Sequence, residues 1–143
     1  MATILSIVMM LILLAMIFLY VWFVKTLYGL MSSVSSEKRF YPAWLCWLLV
    51  VPVLNYPAGW LIFPFAIPKT VKNGSESKEV GVKSKLLFKL GLVVQLCPLV
   101  TVYLGGVPIL GVLLLMIWLA SLIWYWVVAS ALKAKYFQTK TIS

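Results

Sequence analysis

The sequence predicts an all-α integral membrane protein with three to four transmembrane helices. Of its 143 residues, 64% are hydrophobic and 10% are charged, whereas a soluble domain is about half apolar and about a quarter charged. Residues 1–24, 40–68 and 90–132 carry no charge at all. Because one bilayer-spanning helix needs about 20 apolar residues, this pattern excludes a water-soluble globular domain. We treat residues 1–143 as a single membrane domain.

The first predicted span covers residues 3–24. The start of the chain carries no Lys or Arg, and the apolar run is longer than the centre of a secretory signal peptide, so we expect a retained transmembrane helix. Trp22 lies with Tyr20 and Tyr28 around Lys25, an arrangement typical of an interfacial anchor. The serine-rich residues 26–39 that follow are expected to form a solvated loop.

The second apolar segment, residues 40–68, contains five of the seven prolines in the chain. Pro52 and Pro57 flank Asn55, and each interior proline removes a backbone donor, so the sequence predicts a helix break there. Two structures fit this pattern. One is a single Pro-kinked span, and the other is a re-entrant helical hairpin that enters and leaves on the same side and is covered by other helices.

Residues 90–132 are too long for one span, and Gly105-Gly106-Val107-Pro108 supplies a break. The predicted spans are therefore residues 86–104 and 109–132. Trp124 and Trp126 at the end of the last span are predicted interfacial anchors, followed by a basic tail at 133–143.

The distribution of Lys and Arg predicts the orientation. A kinked span at 40–68 places nine basic residues inside and three outside, whereas a hairpin places all twelve inside. Both alternatives put the Lys-rich loop at 69–85 and the C-terminal tail in the cytoplasm. We expect the protein in the bacterial cytoplasmic (inner) membrane.

Few residues of this chain are of the types that bind metals or act as catalytic acids and bases. There is no His and no Asp, and Cys46 and Cys97 lie in separate apolar segments without ligand spacing, so neither a metal site nor a cofactor is expected. The carboxylates all lie in polar stretches beside lysines, at Glu37, Glu76 and Glu79. Because acid–base catalysis needs a titratable group held in a pocket, the chain is not expected to be an enzyme.

Asn55 and Gln95 are the notable polar residues inside the apolar segments. They fit a path for a neutral solute, coordination of an ion by amide oxygens or, more simply, hydrogen bonding between helices. Anionic lipid headgroups are the expected partners of the lysines that border the spans, and nucleic-acid binding is not supported. The lysines in question are Lys69, Lys72, Lys83, Lys85 and Lys89.

These observations favour a non-catalytic accessory, assembly or scaffold subunit of a larger integral membrane complex. The alternative is a small homo-oligomeric channel or facilitator with a path near Asn55, because broken helices at mid-membrane mark binding sites in some transporters.

Overall fold

The computed structural model describes residues 2–104 and 108–137, which are helical throughout apart from turns and short connections. Three helices are long and apolar enough to cross a membrane, over Thr3–Ser32, Lys78–Tyr103 and Pro108–Phe137. This confirms the predicted all-helical class with three apolar helices of spanning length. Residues 40–68 do not form a fourth helix of this kind.

Helix α1 comprises Ala2–Ser32 and is longer than the predicted span. It continues past Lys25 because polar side chains satisfy the carbonyl groups at its end, which have no partner within the helix. The hydroxyl of Ser33 donates to the carbonyl of Gly29 at 2.6 Å. The guanidinium of Arg39 donates to the carbonyls of Ser32 and Val34 at 2.8 and 2.7 Å. The stretch expected to be a loop is therefore partly helical and is held by Arg39.

The segment between α1 and the next long helix folds back on itself. A 3₁₀ helix (Ala43–Val50) leads to a turn, from which α2 (Asn55–Leu61), a π-helical segment (Ile62–Ala66) and α3 (Ile67–Gly74) follow in direct succession. The two ends meet, because the backbone N–H of Phe40 donates to the hydroxyl of Thr70 at 3.1 Å. We call residues 40–74 the hairpin. The segment is therefore not one continuous kinked helix.

The first arm of the hairpin, the 3₁₀ helix, buries every third side chain. Ala43, Cys46 and Leu49 are buried, whereas Trp44 and Trp47 are exposed. Side chains three residues apart eclipse one another in a 3₁₀ helix, so this arm presents one narrow apolar face. That face packs against α1, where the thiol of Cys46 lies 3.4 Å from the sulfur of Met31.

Helices α4 (Lys78–Leu104) and α5 (Pro108–Leu132) pack side by side in antiparallel directions. A π-helical turn, Lys133–Phe137, follows α5. Helix α4 begins at Lys78, eight residues before the predicted start of its span, so most of the expected Lys-rich loop is helical. The backbone carbonyl of Ser77, the residue before α4, accepts the N–H of Gly81 at 3.0 Å. Glu79 in the first turn is favourable beside the positive end of the helix dipole.

The core lies at one end of the molecule, where the hairpin is enclosed by α1, α4 and α5. Four aromatic rings join these elements: Phe23 stacks on Phe63 at 5.9 Å, and Tyr125 meets Phe63 edge-on at 5.3 Å. Trp126 contacts Phe23 edge-on at 5.8 Å. Such pairs contribute about 0.5–1.5 kcal/mol each beyond the apolar area they bury.

Away from this core, the first half of α1 is bare, meaning that its side chains are exposed on all sides of the helix. Every residue from 3 to 19 is exposed in the isolated chain, and at about 1.5 Å per residue this stretch is about 25 Å long. The molecule thus has a densely packed half around the hairpin and an open half in which α1 stands apart.

Candidate functional site

A cavity of about 260 Å³ lies at the tip of the hairpin, where α1, α2, α4 and α5 come together. We call it the tip cavity. All three long helices and the hairpin contribute to its wall, which is formed by Tyr20, Pro52, Asn55, Tyr56, Phe63, Val94, Gln95, Pro98, Trp118 and Leu122. Asn55 and Gln95, the two polar residues singled out from the sequence, therefore face the same space although they lie on different elements.

Tyr20 connects α1 to the tip. Its hydroxyl lies within hydrogen-bonding distance of two acceptors, the carbonyl of Leu49 at 3.1 Å and Oδ1 of Asn55 at 3.2 Å. A hydroxyl has a single proton to donate, so the two acceptors share it. The amide N–H groups of Asn55 are not used in this arrangement and remain available to the cavity.

Gln95 is the most deeply buried polar residue of the cavity wall, with 6% of its surface exposed. Within residues 2–104 and 108–137 its side-chain amide has no hydrogen-bond partner. No fully enclosed side-chain N or O atom in these ranges lacks a partner, so the amide of Gln95 keeps some accessible surface, and the tip cavity supplies it.

Gly59 makes room for Gln95. A methyl group at position 59 would lie 2.5 Å from Nε2 and 3.1 Å from Oε1 of Gln95. Real Cβ atoms do not approach other atoms that closely, so any larger residue would displace the amide. The absence of a side chain in α2 thus decides where the amide of α4 lies.

The cavity is uncharged and largely apolar. Its ten described lining residues include no Lys, Arg, Asp or Glu. The polar groups are amides, phenol hydroxyls and one indole N–H, which bind by hydrogen bonding. In the described ranges no three His, Cys, Asp or Glu side chains are grouped as metal ligands would be.

Pro52 and Pro57, predicted to break the helix, occupy different places. Pro52 lies in the turn between the 3₁₀ helix and α2, at the rim of the tip cavity. Pro57 lies inside α2 as its third residue. A proline is tolerated there because the first N–H groups of a helix have no partner within it.

The five lysines named as lipid contacts lie on α3 and the first turns of α4. Lys69 and Lys83 already have partners: the ammonium of Lys69 lies 3.9 Å from the ring centre of Phe40, and that of Lys83 lies 2.8 Å from Glu79. Lys72, Lys85 and Lys89 are exposed. Glu79 also receives the ammonium of Lys135 at 2.7 Å and a short hydrogen bond from the hydroxyl of Tyr136.

The predicted tryptophan anchors differ in their surroundings. Trp22 and Trp124 are 56% and 58% exposed. Trp126 is half-buried, and its indole N–H donates to the hydroxyl of Thr26 at 3.3 Å. Trp126 therefore joins α5 to α1 within the protein.

Sequence reasoning missed several residues of the tip cavity. Tyr20 was grouped with the interfacial aromatic residues, and Tyr56, Gly59 and Trp118 were not singled out. One signal was available for Tyr20: it lies five residues before Lys25 on the same helix, which places it deeper in the membrane than the interface. No protein-family model, curated protein or solved structure matches this chain.

Proposed function

We propose that the protein is a non-catalytic subunit of a larger integral membrane complex, with an accessory, assembly or scaffold role. The observation that supports this role is the bare half of α1. Its surface consists of large apolar side chains, and Met9, Met10 and Met16 are each about 60% exposed. Methionine is flexible and polarisable and adapts to irregular partner surfaces, so this stretch suits the side of a larger membrane subunit.

We further propose a topology of three spans, in the bacterial inner membrane, with the hairpin re-entrant from the cytoplasmic side. The basic segments support it, because they meet at one end of the molecule. Lys135 pairs with Glu79, and Gly74 lies against Val34 and Phe137. Under the positive-inside rule this end faces the cytoplasm, and the exposed lysines there contact anionic lipids.

Native mass measurement after mild detergent extraction tests the proposed role. The expected result is a discrete species that contains this chain together with different, larger subunits. A matched pair of photo-crosslinking positions localises the contact, with one crosslinker in place of Met10 on α1 and the other in place of Trp124 on α5. Only the first is expected to yield the hetero-complex adduct. A pure homo-oligomer, or equal adducts at both positions, contradicts the proposal.

Cysteine labelling tests the topology independently. A Ser35→Cys variant is expected to react with a membrane-impermeant maleimide only after the cytoplasmic face is opened. The two native cysteines are buried and provide the unlabelled background. Labelling of intact cells from outside contradicts the re-entrant hairpin.

The tip cavity favours a second candidate function, a homo-oligomeric facilitator for a small neutral solute. Asn55 and Gln95 offer amide groups inside an uncharged wall, as such a path requires. Glycerol and urea fluxes into liposomes measure it directly, and Asn55→Leu is expected to abolish them. Flux that is unchanged in this variant removes the candidate.

A further inference from the structure

We propose that the tip cavity binds an uncharged amphiphile from the bilayer. Its hydroxyl or carbonyl group hydrogen-bonds to the amides of Gln95 and Asn55, and its apolar body lies against Trp118 and Leu122. This inference is independent of the role in a complex, and it requires occupancy of the cavity but no passage through it.

The unpaired amide of Gln95 is the first argument for a ligand. An amide carries two donor hydrogens and an acceptor oxygen, and its burial without partners is unfavourable. Gln95 is more than nine-tenths buried, lines the cavity and has no hydrogen bond to the described part of the chain. A group that both accepts and donates, such as a hydroxyl, or an accepting carbonyl, satisfies it.

Asn55 adds a second point of attachment. Because its Oδ1 is already bonded to Tyr20, the orientation of its amide is fixed and its N–H groups are the free side. Two amides from two elements therefore converge on one uncharged space. A ligand with a polar group finds amide partners on two sides of this space, whereas a lipid chain without polar atoms satisfies neither.

The residues that line the cavity disfavour a charged ligand and favour one with apolar surface. With no charged lining residue in the described chain, an ionised ligand would lose its hydration without compensation. Most of the wall consists of aromatic, aliphatic and proline side chains, which is typical of small-molecule sites with a few placed polar groups.

Size and access are consistent with entry from lipid. The cavity holds about eight or nine waters at about 30 Å³ each, so it accepts a small ring or the head of a longer chain. Pro52 and Tyr56 at its rim are exposed. Because the neighbouring part of α1 is bare, this rim adjoins the open half of the molecule.

Photolabelling of the wild-type protein in liposomes tests the proposal. The probe is dodecanol that carries a diazirine in its chain, and mass spectrometry locates the adducts. Labelling is expected on the peptide that contains Trp118 and Leu122. Dodecan-1-ol and 2-dodecanone are expected to suppress it at concentrations about five- to tenfold lower than dodecane requires, because each can form a hydrogen bond that dodecane lacks. Competition by the alcohol alone or by both compounds identifies the preferred polar group.

Equal competition by dodecane, or labelling without preference for this peptide, overturns the proposal and leaves a cavity filled by water or lipid chains only. Two variants test the site independently. Gln95→Leu is expected to reduce specific labelling about tenfold, and Leu122→Trp is expected to abolish it by filling the space.

The matched control is Thr101→Val on the same helix as Gln95. The hydroxyl of Thr101 bonds to its own helix at the carbonyl of Cys97, at 2.8 Å, and the residue does not line the cavity, so labelling is expected to be unchanged. Where Gln95→Leu fails to fold by gel filtration, Leu122→Trp and the wild-type competition decide. Full labelling of a folded Leu122→Trp protein contradicts the proposed site.

Discussion

Replacement of Tyr125 by Phe should destabilise the protein through one carbonyl group of the hairpin. In the π-helical segment the N–H of Ile67 donates to the carbonyl of Ile62, five residues back. The next bond of this type would run from residue 68 to the carbonyl of Phe63, but Pro68 has no N–H. The hydroxyl of Tyr125 donates to that carbonyl at 2.9 Å instead. Tyr125→Phe removes the donor and keeps the ring.

The expected cost follows from the burial of this contact. A buried acceptor left without a partner costs about 1–3 kcal/mol in proteins, while side-chain hydrogen bonds between membrane helices average about 0.6 and reach about 1.7 kcal/mol. Tyr125 is completely buried, and the backbone offers no second donor. We therefore expect a loss of about 1–2 kcal/mol in the free energy of unfolding.

Unfolding in mixed micelles measures this loss, and a double-mutant cycle tests its cause. Pro68→Ala restores an N–H five residues after Phe63, so Tyr125→Phe should cost about 1 kcal/mol less in that background. Tyr103→Phe is the matched control, because Tyr103 is 84% exposed and its replacement should change nothing. Equal costs of Tyr125→Phe in both backgrounds would refute the assignment of the Phe63 carbonyl as one without a backbone donor.

Three further changes test other contacts. Gly91→Ala should cost about 1–3 kcal/mol by overpacking, because a methyl group there would lie 2.6 Å from the backbone carbonyl of Phe63; chemical unfolding measures it, and wild-type stability contradicts the close approach. Glu79→Gln removes the exposed ion pair with Lys135. The melting temperature of the wild type should fall with added salt, and that of the variant should not. Identical salt dependence in both proteins argues against the pair. Tyr20→Phe should speed hydrogen exchange at the hairpin tip by about two- to tenfold, equivalent to one lost hydrogen bond, with unchanged exchange as the contrary result.

The three long helices follow from the sequence because apolar length determines them, but their ends do not. Apolarity fades gradually around Lys25 and Lys85, whereas a helix stops where its terminal backbone groups find other partners. The side chain of Arg39 supplies such partners for α1, although it lies in a stretch that a hydropathy pattern treats as loop.

The hairpin was predicted only as one of two alternatives. Prolines indicated an interruption near Asn55, but the meeting of Phe40 with Thr70 depends on the faces of α1 and α4 against which the segment packs. The three-residue period of Ala43, Cys46 and Leu49 is a pattern of burial, and it cannot be read from the sequence because residues 43–50 are all apolar.

The residues of the tip cavity could likewise be predicted only one by one, and not as one site. Asn55 and Gln95 were recognised separately because amides are rare within apolar spans. Their convergence on one space depends on Gly59, whose missing side chain admits the amide of Gln95, and on Tyr20, whose hydroxyl orients Asn55. Both conditions are three-dimensional, and neither leaves a pattern along the chain.

The bond between Tyr125 and Phe63 also has a consequence for biosynthesis. These residues are 62 positions apart, and at about 5–20 residues per second the ribosome needs about 3–12 s to synthesise the intervening chain. During that interval the carbonyl of Phe63 lacks the hydroxyl of Tyr125, from which it accepts a hydrogen bond in the folded protein. The contact of Tyr125 with the hairpin therefore forms only after α5 has been synthesised, so the packing around Phe63 is completed late in the making of the protein.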